Sequence, residues 1–565
     1  MDNLLLEPLK YYKSASVRHK EEATKRFDDM VARSGVDVAK NRETVNRHNA
    51  KLEEIDKVNS KIKKFTLLFR LLIFACIGIG IAAVILLLNP PQSIPLLIGL
   101  TVGGIILIVI AIILAIKKVR PVIKDAEGVK QRLESEASTI RSEAEMQMAP
   151  LNSLFRESDT LELIAITMPE IKFHKSYTPE HERLLIDEYD YIDLTDDETS
   201  VTDVLSGTLF GNPFLYERYT EHRMMMATYS ASITIHWTER VRDSKGNTRT
   251  VHHSQVLTAT VNKPKPHYNS VTHLGYGCDA APDLSFSRTE SDTDELSEGA
   301  LARRIKKGER KLQKQAEKSA KDGGNFQEMA NSEFDVLFGA HNRNHEVQFR
   351  LMYTPLAQNN TVDLLRSKCG YGDDFDFIKQ GKYNIIKTVH AQKWSMKTDV
   401  SHFKSFDIDA SRNAYVSYNE EYFKSVFFDL APLLSVPSYH ENSEKVKKPT
   451  EFTQNFTQYE HEALANAIGA RAFAHPDSAT DSILKTLFLE KSGDADKVRV
   501  TAYSYSALPR IEPVSVFGRD GRFHIINVPW VEYIPLTSSR NILLSASAIE
   551  SSDACLHGIS AKLCD

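Results

Sequence analysis

The chain has 565 residues, of which 42% are hydrophobic and 26% are charged, and this composition excludes wholesale disorder. The formal net charge of −5 gives no overall basic excess, which argues against a nucleic-acid-binding protein as a class. Five cysteines without a CxxC pair exclude a disulfide scaffold and indicate thiols in a reducing compartment, with a Cys555–Cys564 disulfide as the alternative.

The first segment, residues 1–64, is polar and predicts a cytoplasmic helical region. It lacks a basic stretch followed by an apolar run, so it does not resemble a cleaved signal peptide. Apolar residues recur every seven positions, as in a coiled-coil seam, and Ile55 and Ile62 lie on a second seam whose earlier positions are polar. The residues through which we expect this helix to oligomerise are Val31, Val38, Val45 and Leu52.

Two apolar runs, residues 65–88 and 94–116, predict a transmembrane hairpin over residues 65–118. Each run can cross a hydrocarbon core of about 30 Å at about 1.5 Å per residue, and the proline-containing link is long enough only for a tight turn. Lysine and arginine flank the outer ends and are missing from the turn, which places both termini in the cytoplasm. No acidic residue, lysine or histidine lies inside either run, which favours an anchor over a transporter. Gly99 and Gly103 are spaced to let helices approach closely, within the hairpin or between protomers.

A second stalk helix is predicted over residues 119–150. Its apolar stripe runs from Val122 to Met148 with a repeat of about 3.7 residues, and Pro150 ends it. The two stalks pair with each other or with other protomers; the alternative is that each packs as a surface helix on the soluble region.

Residues 151–565 predict a cytoplasmic α+β region, with two subdomains joined by a charged linker near 289–325 as one possible division. The pattern predicts a helix over residues 420–434. It also predicts a strand over residues 346–356 and a helix over residues 479–491.

The clearest local signal in this region is a β-hairpin. Residues 229–237 and 251–261 each alternate between apolar and polar side chains. A turn between them places Ile233 opposite Leu257, and Pro264 is expected to stop the second strand.

A charged segment follows, with an acidic run over residues 289–298 and a basic helix over residues 301–321. Three interpretations are open for the basic helix. It is a solvated helix whose charge complements the acidic run, or it contacts anionic lipid headgroups, or it binds nucleic acid. The helix has no interleaved aromatic residues for base stacking, which weakens the third interpretation. The residues expected to contact an anionic surface are Arg303, Arg304, Lys307 and Lys311.

No sequence motif for catalysis or cofactor binding is present. His341 and His345 have helical metal-ligand spacing, but Arg343 lies between them and the glutamate of a zinc protease is missing. The acidic stretch at residues 373–376 lacks the spacing of a calcium loop and indicates a solvated turn. We therefore predict no catalytic, cofactor or metal site. An enzyme is the less favoured class of protein.

The leading hypothesis is a membrane-anchored structural or interaction protein. It self-associates through its transmembrane and stalk helices and presents its cytoplasmic region to an unknown protein partner, and nucleic acid is not an expected partner. The alternative is a membrane-tethered enzyme, hydrolase-like, whose active-site residues meet only in space. The compact topology predicts the lipid bilayer of a bacterial inner membrane as the location, with both termini cytoplasmic.

Overall fold

The computed structural model is a mixed helix and sheet protein, 48% helical and 31% strand, which confirms the α+β class. It divides into two compact units. The helical unit comprises residues 23–156 and 399–418, and the mixed unit comprises residues 1–22, 157–398 and 419–565. The structure describes residues 4, 6–88, 102–104, 106, 108–110, 112–113, 115–242, 248–368, 370–392, 399–441, 456–493, 495–546, 552–556 and 558–564.

Long helices make up most of the helical unit. Helix α1 ends beside Gly35, whose φ of +66° suits glycine and turns the chain into α2. A short π-helix, Ala115–Val119, leads into α3. The bounds are α1 Pro8–Ser34, α2 Val38–Leu88 and α3 Arg120–Asn152.

Helices α2 and α3 pair with each other within one chain, which is one of the arrangements expected for the stalks. Arg47 forms an ion pair with Glu143 at 3.1 Å, and Lys51 forms one with Glu136 at 3.1 Å. Alanines on α3 allow the close approach that these pairs require. The buried residues along this seam are Asn41, Thr44, Val45, His48, Ile55, Ala137 and Ala144.

The second half of α2 is apolar on all sides. Among the described residues, one helix is long and apolar enough to cross a membrane, and it is the stretch Val38–Ala82 of α2. Its most apolar window has a mean hydropathy of 2.3, and none of that window is buried within the protein. The large exposed side chains of this stretch are Leu67, Leu68, Leu71, Ile73, Phe74, Ile77, Ile81 and Val84.

The mixed unit contains two antiparallel sheets and several short helices. A seven-stranded sheet has the order β1-β2-β3-β4-β7-β6-β5, and a five-stranded sheet has the order β11-β12-β10-β9-β8. The helices are α4 Ser158–Thr167, α5 Pro179–Tyr189, α6 Glu298–Lys321, α7 Ser332–Phe338, α8 Glu346–Met352, α9 Pro355–Leu365, α10 Ile408–Leu434 and α11 Gln458–Ile468. The strands are β1 Ile171–Phe173, β2 Thr199–Leu209, β3 Asn212–Arg242, β4 Thr248–Gly277, β5 Ser285–Arg288, β6 Phe375–Gln380, β7 Tyr383–Thr388, β8 Ile483–Ser492, β9 Ala495–Phe517, β10 Phe523–Ser545, β11 Ala554–Leu556 and β12 Ile559–Cys564.

The main core of this unit lies where α5 and α11 cover the two sheets. Leu185 and Tyr189 of α5 and Ala463 of α11 are fully buried there. A capping box at Thr457 and Glu460 fixes the start of α11, because each side chain bonds the other residue's backbone N–H. Residues of both sheets and of these two helices belong to this one buried apolar cluster.

Three local predictions are wrong, each for a physical reason. Residues 346–356 begin as helix α8, because His345 caps it by accepting from the backbone N–H of Gln348. Residues 479–491 contain strand β8, whose apolar residues at helical spacing lie partly on its exposed side. Pro264 does not stop β4, which continues to Gly277.

The predicted hairpin and two other elements are confirmed. Ile233 pairs with Leu257 in the β3–β4 ladder. The helix expected over residues 420–434 is the second half of α10, and the basic helix is α6, with Gly323 at φ +73° just beyond its end. Cys555 and Cys564 are free thiols.

Candidate interaction surface on two β-arms

The hairpin of β3 and β4 extends far beyond its own sheet. The two strands pair along residues 222–242 and 248–268, whereas β2 leaves β3 at Glu221 and β7 reaches β4 only from Leu274. We call this two-stranded ribbon the first arm. At about 3.4 Å per residue it is about 70 Å long.

The hairpin of β9 and β10 forms a second, shorter ribbon. Strand β8 leaves β9 at Tyr503, and β12 pairs with β10 only from Asn541. We call the ribbon of residues 504–517 and 523–536 the second arm. It is about 48 Å long at the same rise per residue.

The inner faces of the two arms pack against each other. Ile235, Leu257 and Ala259 of the first arm form a buried cluster with Ile526 and Val528 of the second. An isolated two-stranded hairpin is marginal in water, so this face-to-face packing stabilises both arms. The partly buried apolar residues around the cluster are Tyr229, Ala231, Ile233, Trp237, Val261, Val514 and Val516.

Polar contacts fix the position of one arm along the other. Lys263 lies 4.6 Å from the ring centre of Trp530 and forms an ion pair with Glu512. The backbone N–H of Arg519 donates to the side-chain oxygen of Gln255 at 2.9 Å. The arms are therefore held at both the middle and the tip of the second ribbon.

The tip of the second arm is a tight turn that requires glycine. Gly521 has φ +77°, and a Cβ at Gly518 would lie 2.8 Å from the Cδ1 of Ile235. His524 lies 2.9 Å from the carboxylate of Asp520. Partial burial raises the pKa of Asp520, but the hydrogen bonds that it accepts, His524 included, outweigh this and lower it.

The outer face of the first arm is mainly polar from Thr228 to the tip. Thr228 donates to the side-chain oxygen of Asn262 across the two strands at 2.8 Å. Val256 is an exposed apolar exception there, and nearer the sheet Met224 and Met226 are also exposed, by 45% and 66%. The other exposed residues at outward positions are Ser230, Ser232, Thr234, His236, His252, Ser254, Thr258 and Thr260.

The outer face of the second arm is apolar and uncharged. Exposed fractions are 59% for Phe517, 72% for Phe523, 67% for Ile525 and 68% for Ile511. The two phenylalanine rings meet edge to face with their centres 5.0 Å apart. Contiguous exposed apolar surface of this kind marks interaction sites in soluble domains. We call the outward residues the apolar arm face: Pro509, Ile511, Pro513, Ser515, Phe517, Phe523, Ile525, Asn527 and Pro529.

Prolines line both open edges of this ribbon. Pro513 pairs with Asn527, and Pro529 pairs with Ile511, so the prolines share one parity in the ladder. A proline fits such a ladder only where its nitrogen points away from the partner strand. The edges thereby lose N–H donors and resist the addition of further strands. Recognition on this arm must rely on side chains.

The residues predicted to mediate oligomerisation are scattered over the helical unit. Val45 is buried in the seam between α2 and α3, Val31 and Val38 are half-buried, and Leu52 is 43% exposed. Apart from its chain neighbours and the backbone of its own helix, no atom of the described residues lies within 4 Å of where a Cβ at Gly103 would stand. Gly99 lies outside the described residues. Val45 is therefore packed inside the chain and Leu52 is not, and a role of these residues in oligomerisation stays a prediction.

The basic residues singled out on α6 divide into two groups. Arg303, Lys307 and Lys311 are exposed. Arg304 instead turns toward the acidic run and forms an ion pair with Asp292. The hydrogen bond from Arg304 lowers the pKa of the exposed Asp292 carboxyl.

The candidate metal ligands have structural roles. His341 lies 3.0 Å from the carbonyl oxygen of Asp335, and His345 caps α8. The acidic stretch at residues 373–376 is not a solvated turn, because Asp373 is fully buried in an ion pair with Arg288. No group of three or more histidine, cysteine or acidic residues that could hold a metal occurs in the described part of the chain.

One cleft carries a histidine–carboxylate pair. Nε2 of His461 lies 3.3 Å from Oδ2 of Asp496 at the wall of a cleft of about 450 Å³ beside β8. Its other walls include Phe456 and Phe488. This is the place where the enzyme alternative would find a general base, but no serine or cysteine lines the described walls as a nucleophile.

No family model, curated protein or solved structure matches this chain. The apolar arm face was not found from the sequence, although one signal was present. Residues 511–517 and 523–529 carry apolar side chains at both parities, which a strand with one solvated face does not need. The function therefore has to be argued from the surfaces of the protein itself.

Proposed function

We propose that this protein is a membrane-anchored interaction protein that self-associates through the apolar arm face. A hairpin of α2 and the following apolar segment is the anchor, with both ends of the chain on the cytoplasmic side. The observation that carries the proposal is the uncharged, exposed apolar outer face of the second arm, beside a first arm whose outer face is mainly polar from Thr228 to the tip.

Lipid exposure supports the anchor. From Leu67 to Val84, α2 exposes large aliphatic and aromatic side chains around the helix rather than along one stripe. In water this surface would be strongly unfavourable at about 25 cal/mol per Å² of apolar area, whereas a hydrocarbon core accepts it. Arg70 lies near one end of the apolar stretch, where its side chain can reach the interface.

Two contacts support an antiparallel return of the second apolar segment. Sγ of Cys76 lies 4.0 Å from the carbonyl oxygen of Ile108, and Gly104 faces the side chain of Ile79. From Cys76 to Ile79 the contact advances by three residues along α2. On the second segment it moves back by four residues, from Ile108 to Gly104. That is the relation expected of two antiparallel helices in contact.

Charge favours a second copy as the occupant of the apolar arm face. In a two-fold interface the same patch meets itself, so any charge would face a like charge. None of the residues that form the face carries a charge. The apolar arm face is about 10 Å wide and about 30 Å long. Its area is small for a stable interface between free proteins, which buries about 1,200 Å² or more in total. Anchoring in one bilayer raises the effective concentration of copies and lowers this requirement.

The stalk seam supports the same assignment. The buried positions of α2 and α3 pack on each other within one chain, so they are not open to a second copy. Among the described residues none covers the surface at Gly103, and we propose this surface as a second contact between anchors.

The test is the protein mass of the solubilised complex, measured by light scattering in mild detergent. The wild type is expected at a multiple of 63.8 kDa, and a Phe523→Asp, Ile525→Asp double variant at 63.8 kDa. The matched control, Ser232→Asp with Thr234→Asp on the polar face of the first arm, should keep the wild-type mass. Both pairs are exposed, so neither should change the melting temperature by more than about 2 °C.

Three results would overturn the proposal. A monomeric wild type would remove self-association. If the double variant kept the wild-type mass, the contact between copies would not lie on the second arm. The protein could instead be a monomer whose second arm is protected from hydrogen exchange only in lipid nanodiscs. The apolar arm face would then bind the bilayer surface and not a second copy.

A further inference from the structure

Helix α6 lies on the mixed unit through one apolar side. Leu301 and Leu312 are buried, and Gly308 faces Val336 of α7 so closely that no Cβ would fit between them. Glycine at this position allows the helix backbone to pack directly on its neighbour. The orientation of α6 about its own axis is therefore fixed.

The opposite side of α6 is almost entirely cationic. At about 100° per residue its basic side chains fall within an arc of about 140°, and at about 1.5 Å per residue they extend over about 27 Å. One carboxylate, that of Glu317, falls in the same arc. We call this surface the basic helix face: Arg303, Lys306, Lys307, Arg310, Lys311, Lys314, Lys318 and Lys321.

The neighbouring acidic run does not neutralise the basic helix face. Asp292 pairs with Arg304, and Glu298 pairs with Arg366 of α9's C-terminal cap. Burial and nearby carboxylates raise the pKa of Glu290, which lies away from the helix. Within the part of the chain that the structure describes, none of the eight cations forms an ion pair.

We propose that the basic helix face binds anionic lipid headgroups at the membrane surface. The inference rests on the proposed membrane anchor, which keeps the protein at a bilayer. Each lysine or arginine near an anionic surface adds to the attraction, so a flat row of several gives a firm contact. Eight of the nine charged residues on this arc are lysines or arginines without an ion pair among the described residues, and no aromatic residue lies between them, which fits a charged plane better than a stack of bases.

The test uses the full chain reconstituted into nanodiscs of phosphatidylcholine, or of phosphatidylcholine with about 30 mol % phosphatidylglycerol. An amine-reactive reagent labels accessible lysines, and mass spectrometry gives the labelling rate at each. We expect the anionic lipid to slow labelling of Lys311, Lys314 and Lys318 by about threefold or more, and about 0.5 M NaCl to restore it. Lys265, an exposed lysine of the first arm, should label equally in both discs.

A variant tests whether the row acts together. Lys307→Gln with Lys311→Gln should remove most of the protection at Lys318, whereas the matched control Lys265→Gln should leave it unchanged. Equal labelling in the two kinds of disc would overturn the lipid contact while leaving the anchor intact. Protein that fails to co-elute with nanodiscs would overturn the anchor and this inference together. Protection by a DNA duplex of about 20 base pairs, without any by phosphatidylglycerol, would overturn it in favour of nucleic acid.

Discussion

Oδ1 of Asp429 lies 3.0 Å from Nε2 of His390, and both side chains are buried. On the other side of the ring, Nδ1 of His390 lies 2.6 Å from the carboxylate of Asp374. Tyr216 donates its hydroxyl hydrogen to the second oxygen of Asp429 at 2.6 Å. The imidazole therefore joins the end of β7 to helix α10 through two charge-assisted contacts.

These contacts predict a stability term that depends on pH. Burial alone lowers the pKa of His390, but the carboxylates of Asp429 and Asp374 outweigh it and raise the pKa to about 10. The unfolded chain has a histidine pKa of about 6.5, so the folded state holds the proton more tightly. The stabilisation is complete below pH 6.5 and is lost as the pH rises through 10.

We expect His390→Ala to lower the melting temperature at pH 7 by roughly 5–10 °C, because two carboxylates lose their shared cation at a cost of about 3–5 kcal/mol. The difference between wild type and variant should shrink as the pH approaches 10. The control is His475→Ala, since His475 lies at the surface. Melting curves between pH 7 and 10.5 give the result, and a difference that stays constant across this range would contradict the assignment.

A second histidine site should respond to acid instead. The rings of His174 and His181 lie 4.6 Å apart, and burial lowers the pKa of His174 to about 4 and that of His181 to about 3. Both are neutral in the fold, so their stabilisation is present above pH 6.5 and is lost as the pH falls through 4. His181→Gln should reduce the drop in melting temperature between pH 6.5 and 4, by an amount corresponding to about 1–3 kcal/mol at the acid end. A variant with the same acid profile as the wild type would show that other groups cause the loss.

How far the sequence predicts the fold is clearest in the stalk. The heptad spacing indicated a helix with a seam, and α2 is that helix. Oligomerisation was assigned to the line of valines that ends at Leu52, and Ile55 was placed on a second seam line whose earlier positions are polar. The buried residues belong mainly to that second line, Asn41, His48 and Ile55, together with Val45 of the first. Asn41 is buried because its side-chain amide donates to the carbonyl oxygen of Phe406 at 3.0 Å, a residue far along the chain. Hydrophobicity alone does not reveal such a partner.

The same limit explains the arms. The alternation at residues 229–237 was enough to predict the register of one hairpin, because each residue opposes its neighbour across a short turn. The length of the arms depends on packing between ribbons that are separated by more than 230 residues of chain. Strand β8 was taken for a helix for a related reason, since Leu484 and Leu487 fit helical spacing although only Leu484 is buried.

The stalk seam can be tested by comparing two truncations of similar size. Ile55→Ala removes a buried side chain and should destabilise the helical unit by about 2–4 kcal/mol. Leu52→Ala removes an exposed one and should cost less than about 1 kcal/mol. Thermal unfolding followed by the helical circular dichroism signal distinguishes them. If the two variants lost the same stability, Leu52 would have to be buried, as it would be in an interface between two copies of the chain.

Substitution of the edge prolines separates two kinds of association on the second arm. Pro509→Val with Pro513→Val keeps the apolar character of the apolar arm face but restores N–H donors to the open edge of β9. Because an exposed edge of this length can add strands without limit, we expect the variant to form large aggregates at concentrations where the wild type stays a defined oligomer. The control, Thr258→Val on the first arm, changes one exposed side chain and adds no donor.

Light scattering and a β-aggregate-binding dye report the outcome. The wild type is limited in size because side chains, and not backbone groups, make its contacts, and a two-fold contact closes on itself. If the proline variant keeps the wild-type mass and binds no dye, the edges are protected by something other than the prolines. The first candidate would then be the lysine and glutamate pair at Lys263 and Glu512, which lies along the same side of the ribbon.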